Sequence, residues 1–178
     1  MFARPLDATT SLHLALPAHA PELFALTDAN RAHLRAWLPW VDHVKTVADT
    51  TAFIRDRLHA FADERGLCLL ILHHGKIAGT IGFNHLDLTH RNATIGYWLD
   101  AASTDRGLMT AAVRELTALG FDHYGLRRIE IRCATINLRS RAIPERLDYT
   151  LEGVLRQAEH VNGRTFDHAV YAQVLPSS

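Results

Sequence analysis

The sequence predicts a single mixed α/β domain. Three observations lead there. A chain of 178 residues fits one domain at ~150 residues per domain. Its apolar spacing switches between alternation and helical intervals. Gly, Pro and Asn-Gly punctuation falls between the periodic runs, with no repeat, linker or low-complexity stretch. The order is one strand, helices, three meander strands, a long helix, a strand, a short helix and two strands.

Each element has its own signal. "SLHLAL" (11–16) alternates and predicts a strand. In 17–40, Leu23, Phe24, Leu26, Leu34 and Leu38 recur at helical intervals. The pattern breaks near Asp28-Ala29-Asn30, giving two short helices, the second ended by Pro39. Residues 47–66 place Phe53, Ile54, Leu58 and Phe61 on one face of a third helix, with Gly66 as its stop. "LCLLILHHGKIAGTIGFNHL" holds two β-rich runs around His74-Gly75, a hairpin signal. "NATIGYWLD" (92–100) follows as a strand. The next helix carries Leu108, Ala112, Leu116 and Leu119 on one stripe, beside Met109 and Val113, until Gly120. "RRIEIRCAT" (127–135) is a strand, and "SRAIPERL" a short helix that tolerates Pro144 only in its early turns. Two strands joined through Asn162-Gly163 close the chain.

Composition narrows the function. Hydrophobic residues make up 48% and charged residues 21%, ordinary for a globular protein, and formal net charge is zero. Nothing argues for a nucleic-acid or membrane partner. The N-terminus lacks a signal-peptide core, no apolar run approaches ~18 residues, and two cysteines are too few for a disulfide framework, so a cytoplasmic protein is expected. Twelve histidines invite a metal, but no His-x-x-x-His or Cys-x-x-Cys spacing occurs, and no metal site is expected.

The stretch "DRGLMTAAV" (105–113) raises the functional question. A strand running into a helix through a tight turn points several unpaired N–H groups outward, which suits a phosphate or pyrophosphate. Gly107 would let an anion approach the backbone closely, and Arg106 would add a charge-assisted hydrogen bond. The alternative is that Ser103, Thr104 or Asp105 simply caps the helix while Arg106 is solvated. Neither the P-loop nor the Rossmann glycine pattern occurs.

"IGYWLDAASTDRGLMTAAV" and "LRRIEIRCATINLRSRAIPERLDYTLEGVLR", with the earlier "NRAHLRAWLPWVD", resemble the GNAT-fold acetyltransferases. The likeness runs from about residue 10 to 174 and is nearest to the ribosomal-protein N-terminal (alanine and serine) acetyltransferase branch, the RimJ/RimL type. It implies a twisted, mostly antiparallel mixed sheet flanked by helices. Two central strands splay apart to take the pantetheine arm of acetyl-CoA, and the pyrophosphate sits on residues 105–110. The implied cofactor contacts are Trp98, Leu99, Arg106, Gly107, Leu108, Met109, Thr110, Asn137 and Ser140. The sequence departs from the family at Thr104, where Gln or Arg is usual, at Asp105 in place of a small residue, and at Asp148 in place of Gly. Pro144 stands where many members carry an acid tyrosine, which excludes that residue type as the acid there.

Acetyl transfer to an amine needs a neutral nucleophile, a donor to the carbonyl oxygen and help for the departing thiolate. Ser140 is the candidate donor to sulfur, with capping of the short helix as its other reading. Glu159 is the candidate base, or else a solvated strand glutamate; His85, beside Asn84, is the next. Cys133 reads as buried filler rather than a nucleophile. Trp37, Trp40 and Trp98 wall the acceptor cleft or the core, and no role follows for Asp167 or His168. The expected activity is direct acetyl transfer from acetyl-CoA to a protein N-terminal α-amino group. A small-molecule amine acceptor, or a CoA-binding sensor without turnover, stands beside it, and a homodimer or higher homo-oligomer is compatible with each.

Overall fold

The computed structural model describes residues 3–176. A short edge strand, β1 (Ala3–Pro5), precedes β2 (Thr10–Leu14), which ends two residues before the alternating run does. The two short helices are α1 (Ala20–Ala29) and α2 (Arg31–Arg35). Asn30 sits at the break, its side-chain amide donating to Leu26 O at 2.9 Å. Pro39 does not end α2; it opens a 3-10 turn over Pro39–Asp42, where its missing N–H costs nothing.

Then come α3 (Val47–Ala62), the hairpin β3 (Leu67–His73) and β4 (Lys76–Asp87), and β5 (Asn92–Leu99). His74 and Gly75 both take positive φ, 50° and 74°, as a two-residue hairpin turn requires. The long helix α4 (Leu108–Asp122) crosses to β6 (Arg128–Ala134). The chain ends with α5 (Leu138–Arg146), β7 (Thr150–Val161) and β8 (Arg164–Val174). Asn162 (φ 50°) and Gly163 (φ 80°) repeat the same turn chemistry.

Among the described residues, eight strands form one sheet, in the order β1-β2-β3-β4-β5-β6-β8-β7. Every pairing is antiparallel except β5 with β6. β3 explains why the sheet needs helices on both sides. Leu67, Leu69 and Ile71 pack with Met109, Ala112, Val113 and Leu116 of α4. Cys68 and Leu70 face the other way, onto Leu23 of α1 and Ile54 of α3. A strand buried on both faces reads as an unbroken apolar run, which is what "LCLLIL" is. The stripe predicted for α4 is buried throughout. That predicted for α3 is not: Ile54 is buried, while Phe53 and Phe61 are 44% and 37% exposed. Neighbouring helical positions differ by about 100°, so Phe53 and Ile54 cannot share one narrow seam.

The parallel pair positions the site. β5 and β6 stay in register for four pairs, from Asn92↔Arg128 to Ile95↔Ile131, and then part. Gly96 to Leu99 continue on β4 alone, and Arg132 to Ala134 on β8 alone.

Candidate active site

Where β5 and β6 separate, a groove of about 1480 Å³ opens through the sheet. One end is formed by the turn into α4 and the first turns of α5, the other by α2, the 3-10 turn, α3 and the β7–β8 hairpin.

At the first end, Gly107 is the N-cap of α4, with φ 78°. No side chain bonds to the amides of the first turn, and no acidic residue lies in it. The capping alternatives are thereby overturned. The Thr104 hydroxyl donates to Ala101 O at 2.8 Å, and the exposed Asp105 carboxylate faces Arg139 at 3.4 Å. A Cβ built on Gly107 meets nothing within 4 Å, so within the chain the glycine answers to φ alone. Leu108 and Met109 bury their side chains, leaving only their backbone N–H groups to offer. Arg106 is exposed and does not line the groove. Arg114, Arg139 and Arg146 line it instead. Arg139 and Arg146 are seven apart on α5, two helical turns, a spacing from which the sequence could have suggested a shared face.

At the centre, Asn137 and Ser140 are brought together as predicted, but in a different relation. Asn137 caps α5, its side chain accepting from Ser140 N at 3.2 Å. Ser140 is therefore not the cap, and its hydroxyl lies 3.3 Å from the Tyr97 hydroxyl. Tyr97 also donates to Ser140 O at 3.2 Å. Burial pushes the Cys133 thiol up, partly offset by a hydrogen bond from Ser140, and Cys133 lines the groove although buried. Trp98 and Leu99 both reach the groove from opposite faces of the sheet. Leu99 packs on the α4 side; Trp98 packs on the α1/α3 side, 6.1 Å from Trp40.

β4 carries an irregularity between Phe83 and His85 that leaves Asn84 without a register partner on β5. Asn84 lines the groove, and its side chain lies over Gly96, where a Cβ would meet it at 2.1 Å. His85 is exposed and does not line the groove.

At the far end, Glu159 Oε2 lies 3.2 Å from His168 Nε2, and both line the groove. His168 carries the smaller exposure, 15% of its side chain against 36% for Glu159. The hairpin register pairs Glu159 with Phe166, so His168, two residues on, sits diagonally on the same face. That diagonal follows from the Asn162-Gly163 turn, which sets the register of the hairpin. Three β7 residues then stand against one on β8, and Gln157 (φ 51°) donates its N–H to Asp167 at 2.8 Å within this bulge. Trp37 packs on Phe166, and Asn162 donates to Arg35 O, which ties the hairpin to α2.

Among the described residues no helix is long and apolar enough to cross a membrane, and no group of His, Cys, Asp and Glu is arranged to hold a metal.

Comparison with known proteins agrees with this architecture. The profile of the acetyltransferase (GNAT) domain matches residues 12–150. A putative ribosomal N-acetyltransferase, YdaF of Bacillus subtilis (strain 168), is 33% identical over 97% of this chain and 94% of its own. The solved structure of RimL, a ribosomal alpha-N-protein acetyltransferase in complex with coenzyme A, superposes with a TM-score of 0.95 at 29% identity, covering 98% of each chain. The microcin C7 self-immunity acetyltransferase MccE, in complex with acetyl-CoA and AMP, superposes at 0.90 and 32% identity, over 96% of this chain and 94% of that one. The chain belongs to the GNAT acetyltransferase family.

Proposed function

We propose that this GNAT acetyltransferase moves the acetyl group of acetyl-CoA directly to the α-amino group of a protein N-terminus, of the ribosomal-protein type. The observation that carries the reading is the one groove that joins the uncapped start of α4 to the Glu159–His168 pair. The α4 amides, with Arg139 and Arg146 nearby, would hold the diphosphate of the cofactor, and Tyr97, Cys133 and Ser140 line the gap that would take its thioester. RimL and YdaF support the acceptor class. A free α-amino group, pKa ~7.7–8.0, is also far easier to deprotonate than lysine at ~10.4. The cytoplasm, where ribosomal proteins are made, is the compartment this implies.

Transfer is direct, without a covalent enzyme intermediate. The neutral amine attacks the thioester carbon, the N–C bond forms, and Asn84 at the bulge supplies a donor to the carbonyl oxygen. Glu159 takes the amine proton, with His168 beside it to pass the proton to solvent. The C–S bond breaks with its electron pair on sulfur, which Ser140 holds by a hydrogen bond until solvent protonates it. His85 has no part in this reading.

Peptides with ribosomal N-termini, lysine peptides and nucleotide-linked amines, each incubated with acetyl-CoA and read by mass spectrometry, test it. Acetylation confined to the α-amino group is expected. Glu159→Gln should lower kcat/KM by ~100-fold near neutrality and shift the rising limb of the pH profile to alkaline pH. A second reading has its own observation: MccE was solved with AMP, and here Trp37, Trp40 and Phe53 line the acceptor end. A preference above tenfold for the nucleotide-linked amine would select it. Binding of acetyl-CoA with no transfer to any amine would leave a sensor.

A further inference from the structure

Pro144 is the seventh residue of α5, deep in the helix rather than in its early turns. In a regular helix the N–H of residue 144 would donate to the carbonyl of residue 140. Proline has no N–H, so Ser140 O is left without its helical donor. Tyr97 fills the place: its hydroxyl donates to that carbonyl at 3.2 Å and sits 3.3 Å from Ser140 Oγ. Tyr97 lies on β5, two residues beyond the last pair with β6, and Ser140 lies on the helix that follows β6. The contact therefore spans the gap just where the strands have parted.

We propose that Tyr97 is a positioning residue for Ser140, and that the carbonyl freed by Pro144 is what aims it; this rests on the function proposed above. A tyrosine hydroxyl has one proton and a carbonyl can only accept. With its proton on Ser140 O, Tyr97 accepts from the Ser140 hydroxyl and holds it inward. When sulfur becomes negative, the Ser140 proton turns to the groove, and the Tyr97 proton can move from Ser140 O to Ser140 Oγ. A hydroxyl that receives a hydrogen bond donates a stronger one. No proton leaves Tyr97 in this exchange. Burial pushes its hydroxyl well above the usual tyrosine range, so it stays a donor throughout the working pH range. An alkyl hydroxyl is a weaker acid than a thiol, which is why Ser140 steadies the thiolate by a bond rather than by giving its proton away. Cys133, across the gap from Tyr97, is a second neighbour of the Ser140 hydroxyl and lines the same groove.

The test is a double-mutant cycle on kcat, with acetyl-CoA Kd measured by calorimetry for each protein. Tyr97→Phe keeps the ring and should lower kcat about three- to tenfold, the worth of one net neutral hydrogen bond, with Kd within twofold. In a Ser140→Ala background the same change should alter kcat less than twofold, because its target is gone. Pro144→Ala restores the helical N–H as a competitor for Ser140 O; it should slow kcat two- to fivefold while melting no lower than the parent. A merely structural tyrosine would cost the same in both backgrounds. That equality, or full activity in Tyr97→Phe, overturns the proposal, and full activity in Pro144→Ala overturns the part played by the carbonyl. If the parent itself binds no acetyl-CoA and transfers no acetyl, the functional reading has failed, and this inference goes with it.

Discussion

Two helices that line the same groove, α3 and α4, have starts finished in opposite ways. α3 begins with a closed capping box: Thr46 Oγ1 accepts from Asp49 N at 3.2 Å, and the Asp49 carboxylate accepts from Thr46 N at 2.8 Å. α4 begins on a left-handed glycine, with no capping side chain and no acid in its first turn. One start has satisfied its own donors; the other leaves them to whatever enters. A helix with buried apolar positions all along one face can tolerate that omission, since tertiary packing rather than its cap holds it. In the function proposed above, the missing cap is the place where the anion binds.

The largest effect is expected at Gly107. Gly107→Ala forces an L-residue into a left-handed backbone at ~1–2 kcal/mol and places a methyl group at the anion's approach. Acetyl-CoA Kd should rise about tenfold or more, roughly 1.4 kcal/mol. Unchanged affinity by calorimetry would mean that the open amides are not the site. At the other start, Thr46→Ala should cost ~1 kcal/mol of stability. For a chain of this size that is a melting point lower by ~2–4 °C. Acetyl-CoA affinity should be untouched, and a parallel loss of binding would show that the two starts are not independent.

Asp105 sharpens the contrast on a smaller scale. Because its carboxylate pairs with Arg139 and its φ is 61°, glycine there relieves strain instead of removing a cap. Asp105→Gly should raise the apo melting point by a few degrees at most. It should also release Arg139 and so tighten acetyl-CoA modestly at low salt, an effect that fades as salt rises. A lower melting point would restore the capping role. Smallest is the acid response. Hydrogen bonds from Lys45 N–H and Thr46 hold the Asp49 carboxyl below its ordinary range. A carboxyl lowered by folding stabilises above its unfolded pKa, and that contribution is lost as pH falls through the folded value. Amides of the first turn of α3 should therefore lose hydrogen-exchange protection at acid pH before any matching change in α4, which has no such group. Simultaneous loss at both starts would contradict the assignment.

The contrast between the starts was half legible in the sequence. The α4 stripe, both two-residue hairpins and the turn at Gly107 follow from period and turn chemistry, which are local. The α3 box is legible too, since Thr46 and Asp49 have the spacing for it. What remained hidden depends on irregularity. The β4 bulge decides that Asn84 and not His85 meets the groove, and no period-2 argument contains a bulge. Arg106 stands out by its place beside Gly107 in the chain, whereas Arg139 and Arg146 arrive from another helix. Ser140 looked like a cap because a serine at a helix start usually is one; Asn137 took that position and freed the hydroxyl. The Glu159–His168 diagonal needed only the hairpin register.

The four-pair junction of β5 and β6 also governs how the molecule comes apart. It is the shortest seam in the interior of the sheet, with β1 to β5 as one leaf and β6 to β8 as the other. Side chains under α4 and the Tyr97–Ser140 clasp join the leaves besides those rungs. A ligand lying in the gap touches both and acts as a weld. Sub-global opening along that seam should dominate exchange of the Glu130 amide, which shares with Arg128 N the side of β6 that faces β5, and be suppressed when acetyl-CoA is bound. Ile129 and Ile131, whose amides face β8, should follow less. The same parting that admits the cofactor makes the empty enzyme a two-leaved body whose cooperativity is restored by its own substrate.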